Sequence, residues 1–245
     1  MRAGIAGAAL ALALVAQAAE APDADLEKVR DALAVSLPEV QRDDVRRTEA
    51  PHLFEVQRGA AFGYVTEDGR YLVRGELIDL KSGVVLTEMR RRTARLEAVQ
   101  KLGTRAIEFS PPADLVQQTV TIFVDVDCNY CRQLHKEVPA FNRHGIRVRY
   151  LFYPRFGLQS DAFRRAQSVY CAPEPVKALS QLLAGGSLKD AKTSCDNPVA
   201  EQYAAAVAMG VKGTPMMVLP DGSVHYGFID ADALEARLKT PSQPS

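Results

Sequence analysis

The chain has 245 residues, carries 30 basic and 30 acidic side chains, and has four cysteines, all in its second half. That balance of charge gives no electrostatic case for nucleic acid or for an anionic membrane surface. The length suits one large domain or two modest ones.

The first element is a leader. Arg2 precedes an apolar run over residues 5–15, and Ala16-Gln17-Ala18 fits a small-x-small cleavage pattern before Ala19. The run is too short to cross a bilayer as a helix, so residues 1–18 are predicted to be a signal peptide that is removed on export. The mature chain is then expected to be soluble and periplasmic, with no membrane span. An even number of cysteines in an exported chain favours disulfides.

Residues 19–86 are predicted to form a small α+β domain. Leu26, Val29, Leu33 and Leu37 fall at helical spacing, and Asp23 can cap the start. A β-rich stretch follows, in which residues 61–66 and 70–75 flank the turn Glu67-Asp68-Gly69. Lys81-Ser82-Gly83 marks a second turn. A unit of this size buries little core alone, so association with a partner is expected. Residues 87–105 contain good helix formers, no Pro and an internal Gly only near the end. Their apolar stripe is thin (Met89, Leu96, Val99, Leu102), so they are predicted to form a linker helix, with Arg90-Arg91-Arg92 as its wet face.

From 106 to 245 strand and helix patterns alternate, which predicts a mixed α/β domain. A strand over residues 118–126 leads into a helix over 129–143, which Pro139 should kink or shorten. A strand follows over 146–153, then helices near 161–170, 175–183 and 198–209. A strand pair brackets Pro220-Asp221-Gly222, a last helix ends near Lys239, and the tail after Thr240 is expected to be disordered.

The chemistry is predicted at Cys128-Asn129-Tyr130-Cys131, where a strand ends and a helix begins. Unpaired N–H groups at a helix start favour negative charge, and the thiolate is the reactive form of cysteine. Cys128 is therefore the expected attacking thiol. Cys131 is expected to be more buried and to resolve the mixed disulfide, unless a substrate thiol does so first. A zinc site would need more ligands, and His52, His135, His144 and His225 do not cluster in sequence, so neither metal nor cofactor is expected. Asp127 is a candidate helix cap whose charge opposes a thiolate beside it. Asp125 is either a proton acceptor for Cys131 or a hydrogen-bonded structural residue. Thr214-Pro215 enters a strand; a cis bond there would turn the Thr214 backbone outward to pair with an extended substrate, and the residue pattern leaves cis and trans equally open. Cys171 and Cys195 lack a helix-start context and are read as a structural disulfide closing a loop of 25 residues, counted inclusively.

Several separated motifs resemble the DsbC/DsbG family of periplasmic disulfide isomerases. Phe123-Val124-Asp125, Cys128-Asn129-Tyr130-Cys131 and Leu134-His135 resemble its active-site segment. Arg149-Tyr150-Leu151, Pro154-Arg155, Gly157-Leu158, Tyr170-Cys171-Ala172, Ser194-Cys195-Asp196 and Gly213-Thr214-Pro215 continue the resemblance, and residues 64–72 resemble its dimerisation domain. The resemblance implies a thioredoxin-like catalytic domain with inserted helices and a V-shaped homodimer joined by the N-terminal domains. It implies a cis Thr214-Pro215 bond, with Thr214, Pro215, Asn129, Tyr130 and Asp125 supporting Cys128 and Cys131. It also implies reshuffling of misoxidised exported proteins, chaperone-like binding in the cleft, and a CxxC kept reduced by the membrane reductase DsbD. Asn129 stands where the family commonly has Gly, Asp127 where it has Thr, and Pro139 is unexpected. A thiol oxidase, a DsbG-like reductase and a non-enzymatic holdase are the rival readings.

Overall fold

The computed structural model describes residues 23–59, 61–189 and 192–240; the predicted signal peptide and the C-terminal tail lie outside them. Helix α1 (Ala24–Ser36) begins as expected, with the Asp23 carboxylate accepting from Leu26 N at 3.3 Å. Its Val29 and Leu33 pack on Val45, Phe54, Val56 and Val65 of an antiparallel sheet. That sheet has the order β1 (Val45–Arg47), β2 (Leu53–Arg58), β3 (Ala61–Thr66) and β4 (Leu72–Val73). The hairpin predicted around Asp68-Gly69 is the β3–β4 turn, with Gly69 at φ 70°. Strands β5 (Ile78–Asp79) and β6 (Val84–Val85) form a separate ribbon across the second predicted turn.

Helix α2 (Leu86–Gly103) is not a solvated rod. Its Thr87 hydroxyl is buried against that of Tyr64. Its last turns place Val99 and Leu102 in a core with Phe123, Leu151 and Val218. The expected wet face is corrected too. Arg90 donates to the buried Glu55 carboxylate at 2.9 Å, Arg91 to Glu76 at 2.5 Å, and Arg92 pairs with Glu88 and Asp221 at 3.4 and 3.3 Å. Glu55 of the sheet, Glu76 ahead of β5 and Asp221 of the Asp221-Gly222 turn are remote in sequence, so the local charge pattern shows only the Glu88–Arg92 pair, four residues apart. Met89, expected in the apolar stripe, is exposed.

A five-stranded sheet makes up the rest, in the order β11 (Val224–Tyr226), β10 (Met216–Val218), β8 (Gln118–Val124), β9 (Ile146–Phe152), β7 (Ile107–Phe109). β8 and β9 run parallel and the other pairs antiparallel. The C-terminal halves of the central pair, Ile122-Phe123-Val124 and Tyr150-Leu151-Phe152, are apolar and buried because both faces are covered there. Val120, Ile122 and Val124 face a core formed with α3 (Asn129–Lys136), α4 (Val138–Arg143), α5 (Asp161–Tyr170), α6 (Pro175–Leu183) and α8 (Ala231–Lys239). Phe123 faces the opposite core, with α2 and Ala206 of α7 (Val199–Ala208). Pro139 breaks the predicted long helix in two and sits in the first turn of α4, where a missing N–H loses no bond. Among the described residues no helix is long and apolar enough to cross a membrane.

Candidate active site

Strand β8 ends at Val124, and a tight turn carries the chain into α3. The Asp125 carbonyl accepts from Cys128 N at 3.0 Å, while the Asp125 Oδ1 accepts from Asp127 N at 2.8 Å. Asp127 is not the cap of α3, as its position had suggested. Cys128 is the cap, and its own Sγ accepts from Cys131 N at 3.4 Å. The helix starts one residue later than the Asp127 reading requires, so the sulfur rather than a carboxylate meets the free N–H. The charge of Asp127 is drawn outward to Arg165, which binds it closely, and to Arg132 at 3.9 Å.

Cys128 and Cys131 are both free thiols. Both are buried, at 2% and 0% exposure, so the expected contrast in burial is narrow. Their ionisation differs widely. The bond with Cys131 is the largest cause holding the Cys128 thiol down to about 5, and Thr214 and the positive charge of Arg155 add to it against the opposing effect of burial. Burial pushes the Cys131 thiol far above the ordinary range, and the neighbouring Cys128 pushes it further. One sulfur is thus ready as a thiolate at neutral pH while the other keeps its proton.

The chain from Gly213 into β10 forms the opposite wall. The Thr214-Pro215 bond is cis, and the Thr214 carbonyl lies 3.2 Å from the Cys128 Sγ, accepting from it when that sulfur is protonated. The Thr214 hydroxyl is buried and has no hydrogen-bond partner of ordinary geometry, yet it lies near enough to both sulfurs to favour their thiolates. Asn129 and Tyr130 are exposed on the outer face of the first turn. Asp125 is fully buried, and its Oδ2 accepts from Arg155 N at 2.9 Å and Nε at 3.1 Å. With three N–H donors on its carboxylate, Asp125 fits the hydrogen-bonded structural alternative. Below the cysteines, His135 sits between the Tyr150 and Ser180 hydroxyls at 3.2 Å each, and burial lowers it to about 4, so it is neutral. Cys171 and Cys195 are joined, with Cα atoms 5.6 Å apart, at the end of α5.

Arg155, Arg132 and Arg165 were not singled out as site residues from sequence. Arg155 follows β9, 30 positions after the carboxylate it binds. Only its place in the Pro154-Arg155 motif pointed toward the site.

Residues 116–241 match the thioredoxin-like domain family, and residues 16–88 match the disulfide bond isomerase protein N-terminal domain. A thiol:disulfide interchange protein DsbC of Salmonella typhimurium is 33% identical over 230 residues, covering 94% of this chain and 92% of its own. The chain belongs to the DsbC family of thiol:disulfide interchange proteins. DsbC of Escherichia coli (strain K12) is 32% identical over 189 residues, covering 77% of this chain and 78% of its own. Among solved structures, a disulfide interchange protein from Neisseria gonorrhoeae is 30% identical with a TM-score of 0.50, covering 57% of this chain and 97% of that one. The catalytic domain of Proteus mirabilis ScsC has a TM-score of 0.51 at 17% identity, covers 62% of this chain and 96% of that one, and speaks for the fold alone. Family membership makes the chain a thiol–disulfide oxidoreductase with a thioredoxin-like domain behind a DsbC-type N-terminal domain.

Proposed function

We propose that this enzyme is a periplasmic disulfide isomerase. The observation that carries the reading is the contrast between the two thiols: Cys128 is an acidic cap of α3 beside the Thr214 carbonyl, and Cys131 is held neutral behind it. The Cys128 thiolate attacks one sulfur of a non-native disulfide. A Cys128–substrate bond forms, the substrate disulfide breaks, and the other substrate sulfur leaves as a thiolate. If that or another substrate thiol then attacks, the substrate regains a disulfide in a new pairing and the enzyme returns as a dithiol, with no net oxidation. If Cys131 attacks instead, the substrate leaves reduced and the CxxC is oxidised, so an external dithiol reductant must restore it. DsbD is the proposed donor. Burial of Cys131 keeps its thiol protonated and leaves time for the substrate thiol to act first.

The proposed organisation is an N-terminal domain over 19–86, a helix over 87–105 and a catalytic domain over 106–245, following a signal peptide at 1–18. Two copies are proposed to pair through the N-terminal domains. Support comes from β4, an edge strand whose Leu72 and Val73 are exposed, as is Tyr71 just before it. An apolar edge of this kind invites strand pairing. The cleft between the arms is proposed to hold misoxidised exported proteins and to slow their aggregation. The structural role of the Cys171–Cys195 pair and the substrate-pairing role of the Thr214 backbone complete the reading.

The test is refolding of scrambled ribonuclease by the wild type and by Cys128→Ala, with solution mass measured alongside. Isomerisation should vanish in the variant while suppression of aggregation remains, and the mass should be that of a dimer. Isomerisation that persists without Cys128 refutes the enzymatic reading and leaves a holdase. Net oxidation of reduced ribonuclease without reshuffling assigns a thiol oxidase instead.

A further inference from the structure

Five charged side chains surround the first turn of α3. Asp127 is met by Arg165 and by Arg132, the latter at 3.9 Å. Asp125 is met by Arg155 through both its backbone N and its Nε. Three guanidiniums against two carboxylates leave one positive charge in excess, and a single thiolate brings the cluster to neutrality. The other titratable groups facing the site, Cys131, Tyr150 and His135, are held neutral by burial.

The connections within the cluster are unequal. Arg165 and Arg132 are occupied by Asp127. The Asp125 carboxylate is tied at one oxygen to the turn that ends in Cys128 and at the other to Arg155. The Asp125 carbonyl also receives Cys128 N, so one buried residue fixes both the attacking cysteine and the guanidinium. Arg155 lies within electrostatic reach of Cys128 and Cys131. Its side chain is 36% exposed, so its charge acts through a partly wet path.

We propose that Arg155, locked by the buried Asp125 carboxylate to the turn that carries Cys128, is the positioning residue that supplies the counter-charge of the attacking thiolate. This rests on Cys128 being the nucleophile. It gives Asp125 a task other than proton transfer: the carboxylate holds the cation in place, and the cation stabilises the sulfur.

The test is titration of the Cys128 thiolate by absorbance near 240 nm in the reduced protein, for wild type, Arg155→Met and Arg155→Lys. Loss of a partly exposed charge should lower the acid dissociation constant of Cys128 about threefold to tenfold in Arg155→Met. Arg155→Lys keeps the charge without the planar fork and should fall between. A purely structural Arg155 would lower the melting temperature and leave the titration midpoint in place. A midpoint for folded Arg155→Met within about 0.2 units of wild type, well inside the shift expected for a lost charge, overturns the proposal. If Arg155→Met does not fold, wild type in 1 M salt gives the same decision: screening should raise the midpoint, and an unmoved midpoint overturns it. Failure here with isomerisation still dependent on Cys128 removes only this role of Arg155. Isomerisation that survives Cys128→Ala removes the functional reading whatever the titration shows.

Discussion

The acidity of Cys128 has a consequence for stability that can be measured without substrate. The folded thiol titrates at about 5 and the ordinary thiol at 9.0. Between those values the folded state holds a thiolate while the unfolded chain keeps the proton, so unfolding takes up one proton. Stability must then rise with pH, by about 1.4 kcal/mol per unit. The contribution is absent below pH 5, reaches about 2–3 kcal/mol at pH 7 and is complete only above pH 9. Cys131 acts in the opposite direction where the unfolded thiol ionises, because its folded thiol stays protonated, but it is present in both proteins compared and cancels in their difference. The perturbation is Cys128→Ala. Urea unfolding of wild type and variant, both under reductant, at pH 5.5, 7.0 and 8.5 gives a difference from which the carboxylates and His residues cancel. Lost packing of the sulfur adds an offset independent of pH. A difference that stays flat from pH 5.5 to 8.5 would refute the thiolate assignment, whatever the offset.

Further outcomes concern single sites. Replacing Cys171 and Cys195 together with Ala should lower stability by about 3 kcal/mol from the loop it releases, leaving reshuffling of scrambled ribonuclease intact; urea midpoints and the refolding assay check both parts. Alkylation at pH 6.5, read by peptide mass, should reach Cys128 well before Cys131, and equal rates would contradict the assigned order of attack. Gly222 has φ 77°, and a Cβ there would lie 2.6 Å from the Arg92 carbonyl oxygen. Gly222→Val should therefore cost about 1–3 kcal/mol in thermal unfolding by straining the contact between α2 and the β10–β11 turn.

What could be read from sequence follows the range of the interactions. Asp23 caps α1 three residues ahead of the N–H it receives, and a disturbance at Pro139 was legible as a kinked or shortened helix; both effects are local, and the full break into two helices is the part added by the structure. The strand-to-helix step at Cys128 was legible for the same reason. Strand β7 has three residues and is held by pairing to β9 some 40 positions away, so no local period marks it. Arg90, Arg91 and Arg92 of α2 read as a wet face because, apart from Glu88 one turn away, their carboxylate partners lie on β2, before β5 and in the β10–β11 turn. Asp127 read as a cap because Asp is a good cap; the turn built on Asp125 shifts the helix start by one residue. The Thr214-Pro215 bond stayed open because cis and trans differ by only about 0.5–1 kcal/mol before tertiary contacts act.

Thr214 offers a test of how that wall serves the sulfurs. Its carbonyl accepts from the Cys128 thiol, an interaction any residue could provide, so the hydroxyl is the part specific to threonine. That hydroxyl is buried without a hydrogen-bond partner of ordinary geometry, a condition that costs about 1–3 kcal/mol in a folded protein. Thr214→Val keeps the shape and removes the polar atom. At pH 4, about one unit below the midpoint and so with Cys128 largely protonated, the variant should be as stable as wild type or up to about 1 kcal/mol more stable. At pH 8 the hydroxyl faces a thiolate, and its loss should raise the Cys128 midpoint by about half a unit to one unit, turning the stability difference against the variant. Urea unfolding at the two pH values, with the thiolate titration alongside, reads both effects. A stability difference of the same sign and size at both values means that the hydroxyl does not sense the charge on Cys128, and that Thr214 acts through its backbone alone.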